Sequence, residues 1–198
     1  MNGAAAGQDL AWIRALMEDS QRLLRGTWRH QAVWGLLSAV GLVATWWAVS
    51  GSRLTMAWAV WPLLLVVGWS LSFALARKDG ARRPVRNLAS RAFGGVWIGS
   101  GVTLTLLGTL GLYSGAVAPS ALPGVLSLVL GLGYFASGFV TGLGWLRWIG
   151  VAWWLVGSGL MVWRGPGGLL VLAVAALLLE VGPALTLRRE EAEASGVR

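Results

Sequence analysis

A chain of 198 residues in which 56 % are apolar, with 29 glycines and a mean hydropathy of +0.67, carries far more apolar surface than a soluble core of this length uses. Its net charge of +8 would suggest a nucleic-acid partner in a soluble protein, but here the basic residues stand in short segments beside long apolar runs, where they serve topology and anionic-lipid contact. The absence of cysteine excludes disulfides, thiolate metal sites and cysteine redox chemistry.

Residues 1–28 read as an amphipathic cytoplasmic leader helix. Asp9 is placed to cap it, and Leu10, Ile13, Leu16, Met17 and Leu24 recur at three-to-four spacing with Arg14, Glu18, Arg22 and Arg25 on the other side. The segment mixes acids with bases and lacks an unbroken apolar stretch before a small-residue cleavage site, so it does not read as a secretory signal. Such a helix lies in the membrane interface or packs on the bundle or on a partner.

Residues 29–187 read as a six-helix transmembrane domain, and the fold class expected is therefore all-α. A helix needs about 20 apolar residues to cross a hydrocarbon layer of ~30 Å. Six spans meet or approach that length: Gln31 to Ser50, Leu54 to Ala76, Ala92 to Tyr113, Ala121 to Thr141, Trp148 to Trp163 and Gly167 to Leu187. The fifth is short, and is expected to begin near Trp145 with Arg147 snorkelling its guanidinium back to the headgroups. Apart from the basic segment ending at Arg91 the loops are short, so consecutive spans are expected to be antiparallel neighbours. Residues 188–198 form a charged cytoplasmic tail.

These spans divide the 16 basic residues unevenly. Arg14, Arg22, Arg25, Arg29, Arg77, Lys78, Arg82, Arg83, Arg86, Arg91, Arg147, Arg188, Arg189 and Arg198 fall on one side; only Arg53 and Arg164 fall on the other. The positive-inside tendency then places both termini in the cytoplasm. Tryptophans support the same boundaries: Trp46, Trp47, Trp58 and Trp61 flank the first outer hairpin, and Trp28, Trp34, Trp97, Trp145 and Trp148 gather near the basic face. Trp69, Trp153 and Trp154 lie deeper and are expected between helices. Arginine in place of lysine, with abundant Ala, Gly and Trp, hints at a GC-rich genome and a bacterial inner membrane.

Small residues offer packing surfaces. Gly95 with Gly99, and Gly138 with Gly142, are small-xxx-small pairs, and Ala173, Ala175 and Ala176 cluster on the last span. They are expected to pack within the molecule rather than between copies. Gly131 and Gly133, beside Tyr134, offer instead a hinge in the fourth span.

Glu180 is the sharpest single residue, an acid well inside a span. It stands eight positions before Arg188, roughly 12 Å from the basic edge, where an ionised carboxylate is costly unless hydrated or paired. Its helical neighbours include the small residues Ala176 and Ala184, so it is expected to face inward. Ser100, Tyr134 and Ser137 lie at comparable depth, and Arg147 is placed to reach it from below. Glu180 is then either a proton or cation site, or a structural link to Arg147 or to a hydroxyl. Arg77, Lys78, Arg82, Arg83, Arg86 and Arg91 form a candidate surface for anionic lipid or an acidic partner.

Other chemistry lacks its residues. His30 is the only histidine, so neither a His or Cys metal cluster nor a Ser–His–acid set can be assembled, and the spans hold no carboxylate pair. Gly165, Pro166, Gly167 and Gly168 make an outer turn and lack the Lys–Ser/Thr end of a phosphate loop. No cofactor and no enzyme activity are expected.

The leader AWIRALMEDSQRLLRG, Ala11 to Gly26, together with the closing stretch Leu146 to Leu187, resembles in layout the small bacterial membrane proteins of unassigned role that carry a charged leader and six spans. That resemblance implies fold and topology and transfers no site. The functional expectation is a non-enzymatic accessory or regulatory module acting through helix packing and cytoplasmic basic surfaces, alone, as a homo-oligomer or with a membrane partner. The alternatives are a transporter component, since size and layout are similar to the substrate-binding subunits of vitamin importers, or a binder of lipid or a small apolar ligand. A transporter requires a polar pocket, for which Ser100, Thr103, Thr105, Thr109, Tyr113 and Tyr134 are candidates.

Overall fold

The structure, a computed structural model, describes residues 27–80 and 88–194. Most of the expected leader helix, the basic residues Arg82, Arg83 and Arg86 of the middle loop, and the end of the tail lie outside the described residues. The described residues form seven helices: α1 (Trp28–Ser50), α2 (Leu54–Gly80), α3 (Leu88–Leu106), α4 (Leu122–Thr141), α5 (Gly144–Val162), α6 (Gly168–Ala176) and α7 (Gly182–Ala194). A π-turn at Leu107–Gly111 extends α3, and a second at Leu177–Val181 joins α6 to α7 in one long rod. Six of these units are long and apolar enough to cross a membrane, and no strand occurs among the described residues. A helix satisfies its own backbone donors and acceptors, which hydrocarbon cannot do for it. The fifth span starts at Gly144, close to the expected Trp145, because Gly142 takes the left-handed conformation (φ 73°) that turns α4 into α5 within two residues.

α4 is the centre of the bundle. Of its apolar stretch 44 % is buried, against 6 % in each of α2 and α3, whose surfaces are left for lipid. The tightest packing joins α4 to α5 through glycines seven residues apart on both helices, Gly124 and Gly131 facing Gly157 and Gly150. A Cβ at Gly150 would stand 2.7 Å from the Phe135 backbone N and 2.8 Å from the Gly131 carbonyl O, and one at Gly157 would stand 3.0 Å from the Gly124 carbonyl O. Only hydrogen at these positions allows the backbones to meet. Lipid offers no hydrophobic drive between helices, so this dispersion contact holds the pair together. Trp154 closes the seam by donating its indole N–H to the Leu128 carbonyl at 3.2 Å, and Trp153, fully buried, fills the inner side.

The chain order of neighbours is only partly kept. α1 pairs with α2, α3 with α4, and α4 with α5, but α2 and α3 do not pack closely, and α5 meets α6 only sparsely. Instead α1 runs along α6, the second π-turn and α7. Side-chain geometry explains this. α1 and α2 are fastened near both ends by indole donors, Trp34 to the Ser72 hydroxyl at 2.9 Å and Trp61 to the Thr45 hydroxyl at 3.0 Å. From α2 the Trp69 ring reaches across to Gly101 on α3, its N–H 3.4 Å from the Thr105 hydroxyl. Trp34 therefore faces a neighbouring helix rather than the headgroups, whereas Trp148 stays exposed as expected of a belt residue.

Two glycine expectations are corrected. Nothing lies within 4 Å of a Cβ at Gly95 or Gly99, so that pair does not pack within the molecule, because its face of α3 points away from both neighbours. Gly131 does not loosen α4, which runs unbroken from Leu122 to Thr141; it is one of the contact glycines of the α4–α5 seam. The alanines of the last span behave as expected, with Ala173, Ala175 and Ala176 all buried.

This contrast between glycines is directly testable. Gly150→Val is expected to destabilise the detergent-solubilised protein by about 1–3 kcal/mol through overpacking, seen as a lowered unfolding temperature. Gly99→Ala, on the open face, should leave that temperature unchanged or raise it.

Candidate functional site

The site begins with a proline. Pro183 has no N–H to give, and its ring crowds the carbonyl of Leu179, so the helix widens ahead of it. The Gly182 N–H reaches five residues back to the Leu177 carbonyl, and Glu180 sits inside the wide turn so formed. The turn aims Glu180 into the bundle, where it is only 5 % exposed. Ala176 and Ala184, one turn to either side, are buried with it and leave room.

α1 passes over this turn at a glycine. A Cβ at Gly35 would stand 3.0 Å from the Glu180 Cβ, 3.2 Å from its Oε2 and 2.8 Å from the Val181 Cγ2. Gln31 lies one turn away on the same face of α1, also buried, and neither its amide N nor its amide O has a hydrogen-bond partner. Among the described residues the Glu180 carboxyl has no hydrogen bond or ion pair.

Tyr134, 1 % exposed, lies within electrostatic reach of Glu180 and packs edge-on against Trp97, ring centroids 4.8 Å apart and planes at 82°. Phe93 continues the aromatic row 6.3 Å from Trp97. Ser100 sits against Gly133, its Oγ 3.1 Å from where a Cβ would be. Ser137, fully buried one turn from Tyr134, has no partner for its hydroxyl, and the indole N–H groups of Trp97 and Trp153 likewise have none. Each such group costs about 1–3 kcal/mol when left unpaired. Of these groups, the Trp97 indole and the Ser137 hydroxyl both stand beside Tyr134.

Of the five residues expected to form an intramembrane polar site, the structure brings Tyr134 within electrostatic reach of Glu180, sets Ser100 against Gly133 beside Tyr134, and buries Ser137 one turn further along α4. Arg147 is not among them. Its stem lies against Gly138 and its guanidinium over the exposed Phe139 ring, 5.1 Å from the centroid. The two-residue turn at Gly142 holds Arg147 on the outside of the α4–α5 pair, so it cannot serve as the counter-ion of Glu180. The three threonine candidates and Tyr113 also drop out. Thr105 and Thr109 donate to the carbonyls four residues back, Gly101 at 2.8 Å and Thr105 at 2.7 Å, while Thr103 and Tyr113 face outward.

The described members of the basic surface, Arg77 and Lys78 at the end of α2 and Arg91 in the first turn of α3, are exposed at the same end of the bundle as Arg188. There α1 is latched to α7: the Trp28 indole donates to the Glu191 carboxylate, and Arg29 and Arg188 lie over the Trp28 ring at 5.3 and 5.6 Å.

Gln31, Gly35 and Trp97 were not legible as site residues. Gln31 looked like the polar edge of a span and Trp97 like a belt residue. The Gly182–Pro183 pair inside an apolar run was the available signal for the wide turn. No protein-family model, curated protein or solved structure matches the chain.

The close passage at Gly35 carries an expected outcome. Dicyclohexylcarbodiimide, a lipid-soluble carboxyl reagent, should label Glu180 in the wild-type protein; Gly35→Leu, whose side chain takes the space beside the carboxyl, should reduce that labelling several-fold, while Gly95→Leu should not. Peptide mass spectrometry reads the result.

Proposed function

We propose that the chain is a non-enzymatic membrane protein that binds a small polar solute inside its helix bundle, as the binding component of a transporter. One observation carries this: among the described residues Glu180 is buried without a hydrogen bond or ion pair in a widened helical turn, and the buried Gln31, one turn from its contact at Gly35, is unpartnered too. An ionisable residue in such a place is expensive, and expense of this kind is ordinarily retained for a substrate or ion path. The accessory-module reading draws on the leader and the basic loop and accounts for none of these interior groups.

We place the protein in a bacterial inner membrane with both termini in the cytoplasm, which puts the Glu180 site in the cytoplasmic half. The uneven division of Lys and Arg supports this orientation, with Arg53 and Arg164 alone on the outer side. The exposed arginines of the inner end then face anionic headgroups.

Two measurements test the proposal. Native mass spectrometry of the detergent-purified protein should show a bound small molecule on the wild type that Glu180→Gln loses; a bare wild type, together with unchanged behaviour of the variant, would sink the solute-binding reading. The chain's lack of cysteine makes orientation easy to probe. In intact cells Ser114→Cys should react with an impermeant maleimide and Lys78→Cys only after permeabilisation, and the reverse pattern would invert the topology.

A further inference from the structure

Between α2 and α3 the backbones do not pack closely, and a single side chain spans the distance. Trp69 reaches from α2 until its ring is 3.3 Å from where a Cβ of Gly101 would stand, with its N–H 3.4 Å from the Thr105 hydroxyl. Trp34 of α1 backs it edge-on, ring centroids 5.8 Å apart. Toward the basic end the same two faces are uncovered. Gly94 stands seven residues before Gly101, about two turns away on the same side of α3, yet no described atom lies within 4 Å of a Cβ placed there. Phe73 follows Trp69 by one turn on α2, ring centroids 6.0 Å apart, and remains 64 % exposed. The two helices therefore leave a groove on the basic side of the indole, with Gly94 on one flank, Phe73 on the other and Trp69 closing its inner end.

Depth and charge choose the occupant. Arg77 follows Trp69 by eight residues, about 12 Å of helix, close to the ~15 Å of hydrocarbon that one leaflet supplies. Arg77, Lys78 and Arg91 are exposed at the open end, and residues 77–91 carry six basic side chains against one acid, Asp79. A phospholipid with an anionic headgroup matches both. A second copy of the chain in the same orientation would bring its own basic end against this one and be repelled. Nor does a further helix, 10–12 Å across, enter a gap that one indole spans, whereas a hydrocarbon chain does.

We propose that the groove between α2 and α3 seats one anionic phospholipid. An acyl chain lies against Gly94 and Phe73 as far as Trp69, and the phosphate is held by Arg77, Lys78 and Arg91. The lipid supplies between these helices the contact that protein does not, and it does so whether or not a solute binds beside Glu180.

The test titrates the full chain in mild detergent with phosphatidylglycerol or with phosphatidylcholine of the same acyl chains, and counts bound lipids by native mass spectrometry. A first phosphatidylglycerol should bind at a concentration at least about tenfold lower than phosphatidylcholine requires. Gly94→Leu changes no charge and places its side chain in open space, so it should fold and weaken phosphatidylglycerol binding several-fold. Gly95→Leu, about 100° further round α3, should not. Arg77→Gln, Lys78→Gln and Arg91→Gln combined should bring the two lipids to parity; should that variant fail to fold, the wild-type selectivity and the two glycine variants decide alone. Equal binding of the two lipids by the wild type would overturn the assignment of an anionic headgroup, and unchanged binding by Gly94→Leu would overturn the groove as its seat. A dimer of the wild type that Gly94→Leu abolishes would give the groove to a second copy and overturn the lipid altogether.

Discussion

Helices surrounded by hydrocarbon have no hydrophobic reason to associate, so the closeness with which two backbones can approach decides which of them pack. In this protein that approach is set by four glycines, Gly124 and Gly131 on α4 and Gly150 and Gly157 on α5. The pair they create is the platform for everything else. It fixes the rotation of α4, and thereby turns Tyr134 and Ser137 inward, Phe139 outward, and Arg147 away from the interior with it. Trp154 lies against Gly131 in the same seam, and its neighbour Trp153 is fully buried in the core.

The opposite half of the bundle is assembled differently. α1, α2 and α3 are related through tryptophan side chains that span the gaps between backbones and donate to Ser72, Thr45 and Thr105. Long side chains tolerate spacing that the glycine contacts of the α4–α5 pair do not. Against Gly35 of α1 the second π-turn delivers Glu180. A regular helix would place residue 180 at a different angle; the proline two turns from Ala176 removes the bond that would have kept it regular. The carboxyl is thus aimed by a backbone defect, a device found at functional positions in many helices.

Polar groups along the spans have contrasting fates. Ser127, Thr141, Thr105 and Thr109 bond to carbonyls of the preceding turn and ask nothing of their surroundings. Gln31, Ser137 and the Trp97 indole do not. The difference explains why a count of hydroxyls along the spans overestimates the polar lining: most serine and threonine in a helix is spent on its own backbone, and only those that fail to find it remain for a guest.

Span number, approximate boundaries and the early start of the fifth span follow from apolar run length alone, since the thickness of hydrocarbon sets a length that local composition must meet. The depth and inward direction of Glu180 follow from its distance to Arg188 and from the alanines one turn away, because helical periodicity is a local property. Which helices touch is not local. Gly95 and Gly99 have the same spacing rule as effective packing glycines yet face open space, and Gly131, suggestive of a hinge, is a contact. Arg147, whose place in the sequence lets it reach Glu180 from below, is instead exposed against Gly138 and the Phe139 ring. Composition and periodicity determined that this chain forms six apolar helices with an acid buried near their basic end; tertiary structure alone decided the rotation of each helix about its axis, because that rotation is fixed by backbone approach between helices distant in sequence, and with it decided which polar groups share the interior with Glu180.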